Sequence, residues 1–227
     1  MTQLRSTSAE PFADESLGQP GVRGFLHRGA TTPGDAMVLT HGAGSNSESP
    51  LLVALASEAA RAGFTVLRCD LAYRQMRRYG PPFPAGAAQD RESLRRAVLA
   101  LRRIAPGRVF LGGHSYGGRQ ASMLAAEEPA LADGLLLLSY PLHPPRRPAE
   151  LRTAHFPKLR TRALFAHGSR DPFGSLEEMR SAIALIPAPT ALVTIEGAGH
   201  ELSAGRTPGA SSDVAATVLA AFREFAG

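Results

Sequence analysis

Short apolar runs alternate with segments of helical length along most of the chain. Six runs have strand character: those opening "AMVLTHGAG", "FTVLRCD", "RVFLGGH", "DGLLLLSYP", "RALFAHGSRD" and "TALVTIEGAGH". Between and after them the i, i+3, i+4, i+7 spacing of apolar residues predicts helices over Glu48 to Ala62, about Ala88 to Ile104, Tyr116 to Glu128, Ser175 to Ile186 and Asp213 to Phe225. Strand and helix in strict alternation predict an α/β fold, a mostly parallel central sheet with helices on both faces. The unbroken run Leu135 to Leu138 fits strands buried on both sides. No repeat and no linker divides residues 21–227, which are expected to form one domain. Residues 1–20 lack the rhythm and are expected to be a flexible N-terminal segment.

Two further stretches break the alternation. "LAYRQMRRYGPPFPAGAAQ" follows the second strand and "YPLHPPRRPAELRTAHFPKL" the fourth. Both leave the C-terminal ends of strands, where ligand crevices of open parallel sheets form. Their prolines predict irregular walls rather than helices. Whether their arginines and aromatics (Tyr73, Arg74, Arg77, Arg78, Tyr79, Tyr140, His143, Arg146 and Arg147) face a substrate or the solvent is left open by the pattern.

Composition changes this picture little. Of 227 residues, 44% are apolar and 20% charged, an ordinary globular balance. The N-terminus has no uninterrupted apolar segment of signal-peptide type, and no stretch reaches the length of a membrane span. A cytoplasmic protein without membrane contact is expected. The net charge of +5 raises the question of nucleic acid. However, Lys158 is the only lysine, and the arginines are scattered. Arg91, Arg95, Arg96, Arg102 and Arg103 fall on the polar side of one predicted helix, and no aromatic residues interleave with them as a stacking platform requires. Nucleic-acid binding is therefore not expected. The single cysteine, Cys69, lies in an apolar run and reads as a small buried side chain.

Candidate chemistry centres on "VFLGGHSYGGRQASMLAA". Here Gly113-His114-Ser115-Tyr116-Gly117 matches G-x-S-x-G between a predicted strand and a predicted helix, the setting of a nucleophile elbow. Such a turn forces the serine into a strained backbone conformation and pushes its hydroxyl into the crevice. The N–H of Tyr116 is left at the helix N-terminus, free to face a developing oxyanion.

A serine hydroxyl needs a base, and the base needs an orienting acid. Asp171 in "HGSRDPFG" and His200 in "EGAGHEL" each follow a predicted strand, so all three groups converge on one sheet edge. Glu196 and Asp70 are the alternative acids. His41 opens "HGAG", the loop expected to carry the second oxyanion donor, the N–H of Ala43 with Gly44 as alternative. His114 and His167 are expected to be structural. His27, His143 and His155 show no ligand spacing with one another or with Cys69, so neither a metal nor another cofactor is expected.

The order Ser, Asp, His and the stretches "LTHGAG", "GGHSYGGRQAS", "HGSRDPFGSLEEM" and "GAGHEL" resemble the α/β-hydrolase superfamily over roughly Gly21 to Phe225. Within it they resemble a small bacterial branch akin to the hydrolase-like domain of the NSL histone-acetyltransferase complex and its testis-expressed relative. The chain is also similar to dienelactone hydrolases, which carry cysteine where Ser115 stands. The resemblance implies an α/β-hydrolase fold. The stretch Tyr140 to Leu159 is too short and too rich in proline for a large cap domain. It further implies a cofactor-free serine hydrolase acting on a small-molecule ester or related acyl substrate; thioesters and peptides use the same parts. The alternative is a non-catalytic protein-interaction module that retains the fold.

Overall fold

The computed structural model describes residues 9–29, 34–203 and 210–227. Eight strands form one sheet in the order β1-β2-β4-β3-β5-β6-β7-β8. These are β1 (Ala9–Asp14), β2 (Val22–His27), β3 (Ala36–Thr40), β4 (Thr65–Cys69), β5 (Val109–His114), β6 (Gly134–Leu138), β7 (Ala163–Gly168) and β8 (Thr190–Ile195). From β4 to β8 every pairing is parallel, and β1 and β2 add an antiparallel margin.

Because side chains alternate across a strand, the continuous apolar runs feed two cores. Leu135 and Leu137 join Val38 and Leu111 on one face, packed with α3 (Ala87–Ile104), α4 (Tyr116–Glu127) and α5 (Leu176–Ile183). Leu136 and Leu138 join Met37, Leu39 and Phe110 on the other, under α1 (Pro50–Arg61) and α6 (Ala210–Ala226). There Phe110 meets Phe222 edge to face, with ring centroids 5.0 Å apart. The helical arginines lie on the outside, as their spacing predicts. Arg91, Arg95, Arg96, Arg102 and Arg103 pair with Glu127, Glu128, Glu92, Asp133 and Asp14 respectively.

Two expectations need correction. Residues 9–20, expected to be flexible, contain β1, which pairs with β2 from Ala9↔His27 to Asp14↔Val22; residues 1–8 lie outside the described residues. As an exposed edge strand carrying Pro11, β1 buries only part of Phe12 against the core, so it lacks the apolar alternation by which strands are read. Its neighbour β2 needs Gly24, where an added Cβ would lie 1.9 Å from the carbonyl oxygen of Arg68.

The second correction concerns the first irregular stretch, which contains a one-turn helix, α2 (Ala72–Met76). Its first N–H groups are satisfied from α3: Ala72 donates to Ser93 Oγ (3.2 Å) and Tyr73 to Asp90 Oδ1 (2.9 Å). Capping by a distant helix leaves no local signal. The other stretch holds only a 3-10 turn at Phe156–Lys158, and among the described residues no large cap covers the sheet edge.

Burial also leaves a pH signature. It holds His27 and His155 well below the ordinary imidazole range, each down to about 4, with neighbouring guanidinium groups (Arg68 for His27, Arg119 and Arg91 for His155) adding to the effect. In the unfolded chain both bind protons near pH 6.5. Between that value and about 4 the unfolded chain therefore carries more protons, so stability rises with pH across this window and falls on acidification. Urea melts at half-unit pH steps are expected to show this slope, and His27→Gln with His155→Gln to flatten it. An unchanged slope would refute the assignment.

Candidate active site

Ser115 stands between β5 and α4 with φ 50° and ψ −116°, outside the comfortable regions for a side-chain-bearing residue. The turn is tight enough to exclude methyl groups beside it. A Cβ at Gly113 would lie 2.8 Å from the carbonyl carbon of Gly117, and one at Gly117 would lie 2.5 Å from the carbonyl oxygen of His41. The strain is held by the sheet, since the Ser115 N–H donates to the Leu138 carbonyl at 2.8 Å.

Asp171 follows β7 and His200 follows β8, so both side chains arrive from the same edge as Ser115. The His200 Nδ1–H donates to the Asp171 carboxylate, 2.8 Å from Oδ2 and 3.0 Å from Oδ1. A carboxylate only accepts, so this contact sets the tautomer and leaves Nε2 as an acceptor. The Ser115 hydroxyl donates to it at 2.8 Å. The N–H of Phe173 donates to Asp171 Oδ1 at 2.9 Å, and the Phe173 ring lies against the imidazole with centroids 4.1 Å apart. The alternative acids are elsewhere. Asp70 accepts from the Ser47 N–H at 2.7 Å, and Glu196 is exposed.

Three further histidines are used as braces. His114 is buried and accordingly held below the ordinary imidazole range; its Nε2–H donates to the His200 carbonyl at 2.8 Å. Thus the elbow residue before the serine also holds the backbone of His200. His167 donates to the Gly174 carbonyl at 2.8 Å and closes the loop bearing Asp171. Buried His41, likewise depressed by burial, donates from Nδ1 to the Gly42 carbonyl (2.9 Å) and accepts at Nε2 from the Leu71 N–H (3.2 Å).

Ala43 and Gly44 line a cavity of about 420 Å³ together with Ser115, His200, Phe173 and Glu201. The Gly42 carbonyl accepts from His41 and also from the Tyr73 hydroxyl (3.2 Å), which reaches the Ala43 carbonyl at 3.0 Å. Across a trans planar peptide, the N–H of Ala43 must point away from those donors. Asp90, fully buried, ties this side to the elbow. Its Oδ1 accepts from the Tyr73 N–H and its Oδ2 from the Tyr116 hydroxyl at 2.7 Å. Burial raises the Asp90 carboxyl above the usual carboxylate range.

Sequence reading named Tyr73 and Arg74 only as wall residues, whereas both turn inward. The Arg74 guanidinium is committed to the carbonyls of Ala43, Ser45, Arg77, Arg78 and Gly80 at 2.7–3.2 Å. It shapes the loop and has no donor to spare for a substrate carboxylate. Arg78, Arg146 and Arg147 are exposed, and Arg77 lies over the Phe83 ring. Cys69 is buried, and burial pushes its thiol up to about 12. Among the described residues no three His, Cys, Asp or Glu side chains cluster as metal ligands, and no helix is long and apolar enough to cross a membrane.

Comparison with solved structures finds the same fold. A dienelactone hydrolase from Anabaena variabilis superposes with a TM-score of 0.75 at 22% identity, covering 96% of this chain and 98% of its own. Est1E from Butyrivibrio proteoclasticus gives 0.72 at 18% identity, covering 97% and 100%. An alpha-beta serine hydrolase homologue from Coxiella burnetii gives 0.71 at 14%, covering 97% and 99%. A family model described as an alpha/beta hydrolase domain matches residues 33–226. With that match over most of its length, the chain belongs to the α/β-hydrolase domain family.

Proposed function

We propose that the protein is a cofactor-free serine hydrolase that cleaves small esters or related acyl compounds through an acyl-enzyme. One observation carries it: the unbroken relay from Ser115 Oγ to His200 to a buried Asp171, each link at 2.8 Å. Ser115 attacks the acyl carbonyl while His200 takes the hydroxyl proton. Asp171 holds the imidazole in the reactive tautomer and stabilises the imidazolium. The N–H groups of Ala43 and Tyr116 receive the oxyanion, and His200 returns the proton to the leaving alcohol. Water, deprotonated by His200, then attacks the acyl-Ser115 ester; the acyl–Oγ bond breaks, the acid leaves and His200 returns the proton to Ser115 Oγ.

The test is labelling by a fluorophosphonate, read by mass spectrometry on the intact protein and its peptides. Modification is expected at Ser115 and abolished in Ser115→Ala. An unlabelled but folded wild-type protein would favour a module that keeps the fold without the chemistry.

The Tyr73 hydroxyl gives this reading a second handle. Tyr73→Phe keeps the ring, which stands edge to face against Tyr116 at 6.0 Å, and removes only the donor that holds the Gly42 and Ala43 carbonyls. Loss of a whole oxyanion donor costs about 10²- to 10³-fold in kcat; loosening one is expected to cost on the order of tenfold, with KM little changed. An equal rise in KM with constant kcat would assign Tyr73 to substrate binding instead.

A further inference from the structure

Beside the Ser115 cavity lies a second one of about 370 Å³. Tyr116, Arg119, Gln120 and Met123 form one wall and the proline-rich stretch 81–84, with exposed Phe83, forms the other; Ala43 joins it to the first cavity. The wall follows from helix geometry. Positions 116, 119, 120 and 123 recur on one face of α4, and the Arg119 N–H closes the first turn onto the Ser115 carbonyl at 2.9 Å.

Arg119 is singular in this setting. Its Nε is buried and has no hydrogen-bond partner, its guanidinium lies beside the neutral Tyr140 hydroxyl, and among the described residues no carboxylate pairs with it. Other arginines nearby are engaged: Arg91 with Glu127 and the Gln120 side chain, Arg74 with backbone carbonyls. Asp90, the carboxylate bonded to Tyr116 of this wall, also accepts from Tyr73. Arg119 even adds its charge to the field that keeps His155 neutral. Arg119 is half-buried, and a guanidinium charge partly withdrawn from water with no carboxylate beside it is costly until an anion joins it.

We infer that Arg119 receives a carboxylate on the substrate, so that the preferred esters carry an anionic group about one helical turn from the scissile bond, with an apolar spacer lying between Met123 and Phe83. This rests on the hydrolase reading and adds its substrate class. The two terminal nitrogens of the planar fork offer one Nη–H each, side by side, and this pair suits the two oxygens of a carboxylate. The carboxylate belongs to either the acyl or the alcohol half.

Two matched pairs separate these sources: p-nitrophenyl butyrate against mono-p-nitrophenyl succinate, and phenyl acetate against 4-carboxyphenyl acetate. In one pair the wild-type kcat/KM is expected to favour the anionic member by about 10- to 100-fold. Arg119→Met should collapse that ratio, and Arg119→Lys, which keeps charge without the fork, should leave an intermediate value. A wild-type ratio at or below one in both pairs, or an unaltered ratio in Arg119→Met, would overturn the inference. A measurement on the wild-type protein guards against misfolded variants: glutarate should inhibit neutral-ester turnover competitively and glutaramide should not, and equal behaviour of the two would count against Arg119. Failure of hydrolysis itself reads differently, as no turnover of any ester and no fluorophosphonate on Ser115. Calorimetry of glutarate against glutaramide still reports on Arg119 in that case, binding of glutarate alone supporting it and no binding refuting it.

Discussion

Replacing Ser115 with alanine is expected to lower kcat on p-nitrophenyl esters by about 10⁴-fold or more while leaving the fold intact. The magnitude follows from how the three groups are joined. The hydroxyl donates to His200 Nε2 at 2.8 Å, and the Asp171 carboxylate behind the imidazole is buried, so removing the proposed nucleophile is expected to idle the proposed base and its orienter together. Alanine also fits the backbone no worse than serine does, since the demand of φ 50° falls on any Cβ. Urea melts should therefore give a midpoint close to wild type. Residual turnover within tenfold of wild type would eliminate Ser115 as nucleophile and move the chemistry elsewhere.

Asp171→Asn is expected to cost a comparable factor, about 10⁴ in kcat by analogy with other triads. The amide keeps the shape of the carboxylate but presents a donor at one of its two positions. The Phe173 N–H already requires an acceptor at Oδ1, so the amide NH₂ is driven to the Oδ2 position, 2.8 Å from His200 Nδ1. His200 then turns to the other tautomer, with its proton on Nε2 facing Ser115. A pH titration of the imidazole by NMR, alongside kcat, checks this account. Wild-type kcat in a folded Asp171→Asn protein would reassign the acid.

What could be read from the chain divides along local and distant causes. The elbow was legible because its geometry is made by neighbours in sequence: the strand into Gly113, the serine, and the glycine at 117 that lets the helix start against His41. Strand-end positions for Asp171 and His200 were legible because apolar runs mark where β7 and β8 stop. By contrast, β1 was hidden by its exposed edge and Pro11, and α2 by its dependence on Asp90 and Ser93 far along the chain. The same holds for Tyr73, Arg74 and Arg119. That two of them turn inward and the third has no carboxylate partner are properties of assembled surroundings, to which spacing is blind. One hint was available for Arg119, its place four residues after Ser115 on a helix that begins at the elbow.

Asp90 has a mechanical consequence. Helix α3 holds a carboxylate whose one oxygen suspends the start of α2, and thereby the Tyr73 ring over the Ala43 peptide, while the other suspends Tyr116 at the start of α4. Both proposed oxyanion donors thus hang from a single post. Displacement of α3 by thermal motion or by a distant substitution moves them in common mode. The gap between them then changes only by the difference of two short linkages, so the spacing of the pair is less sensitive to a shift of α3 than the position of either member.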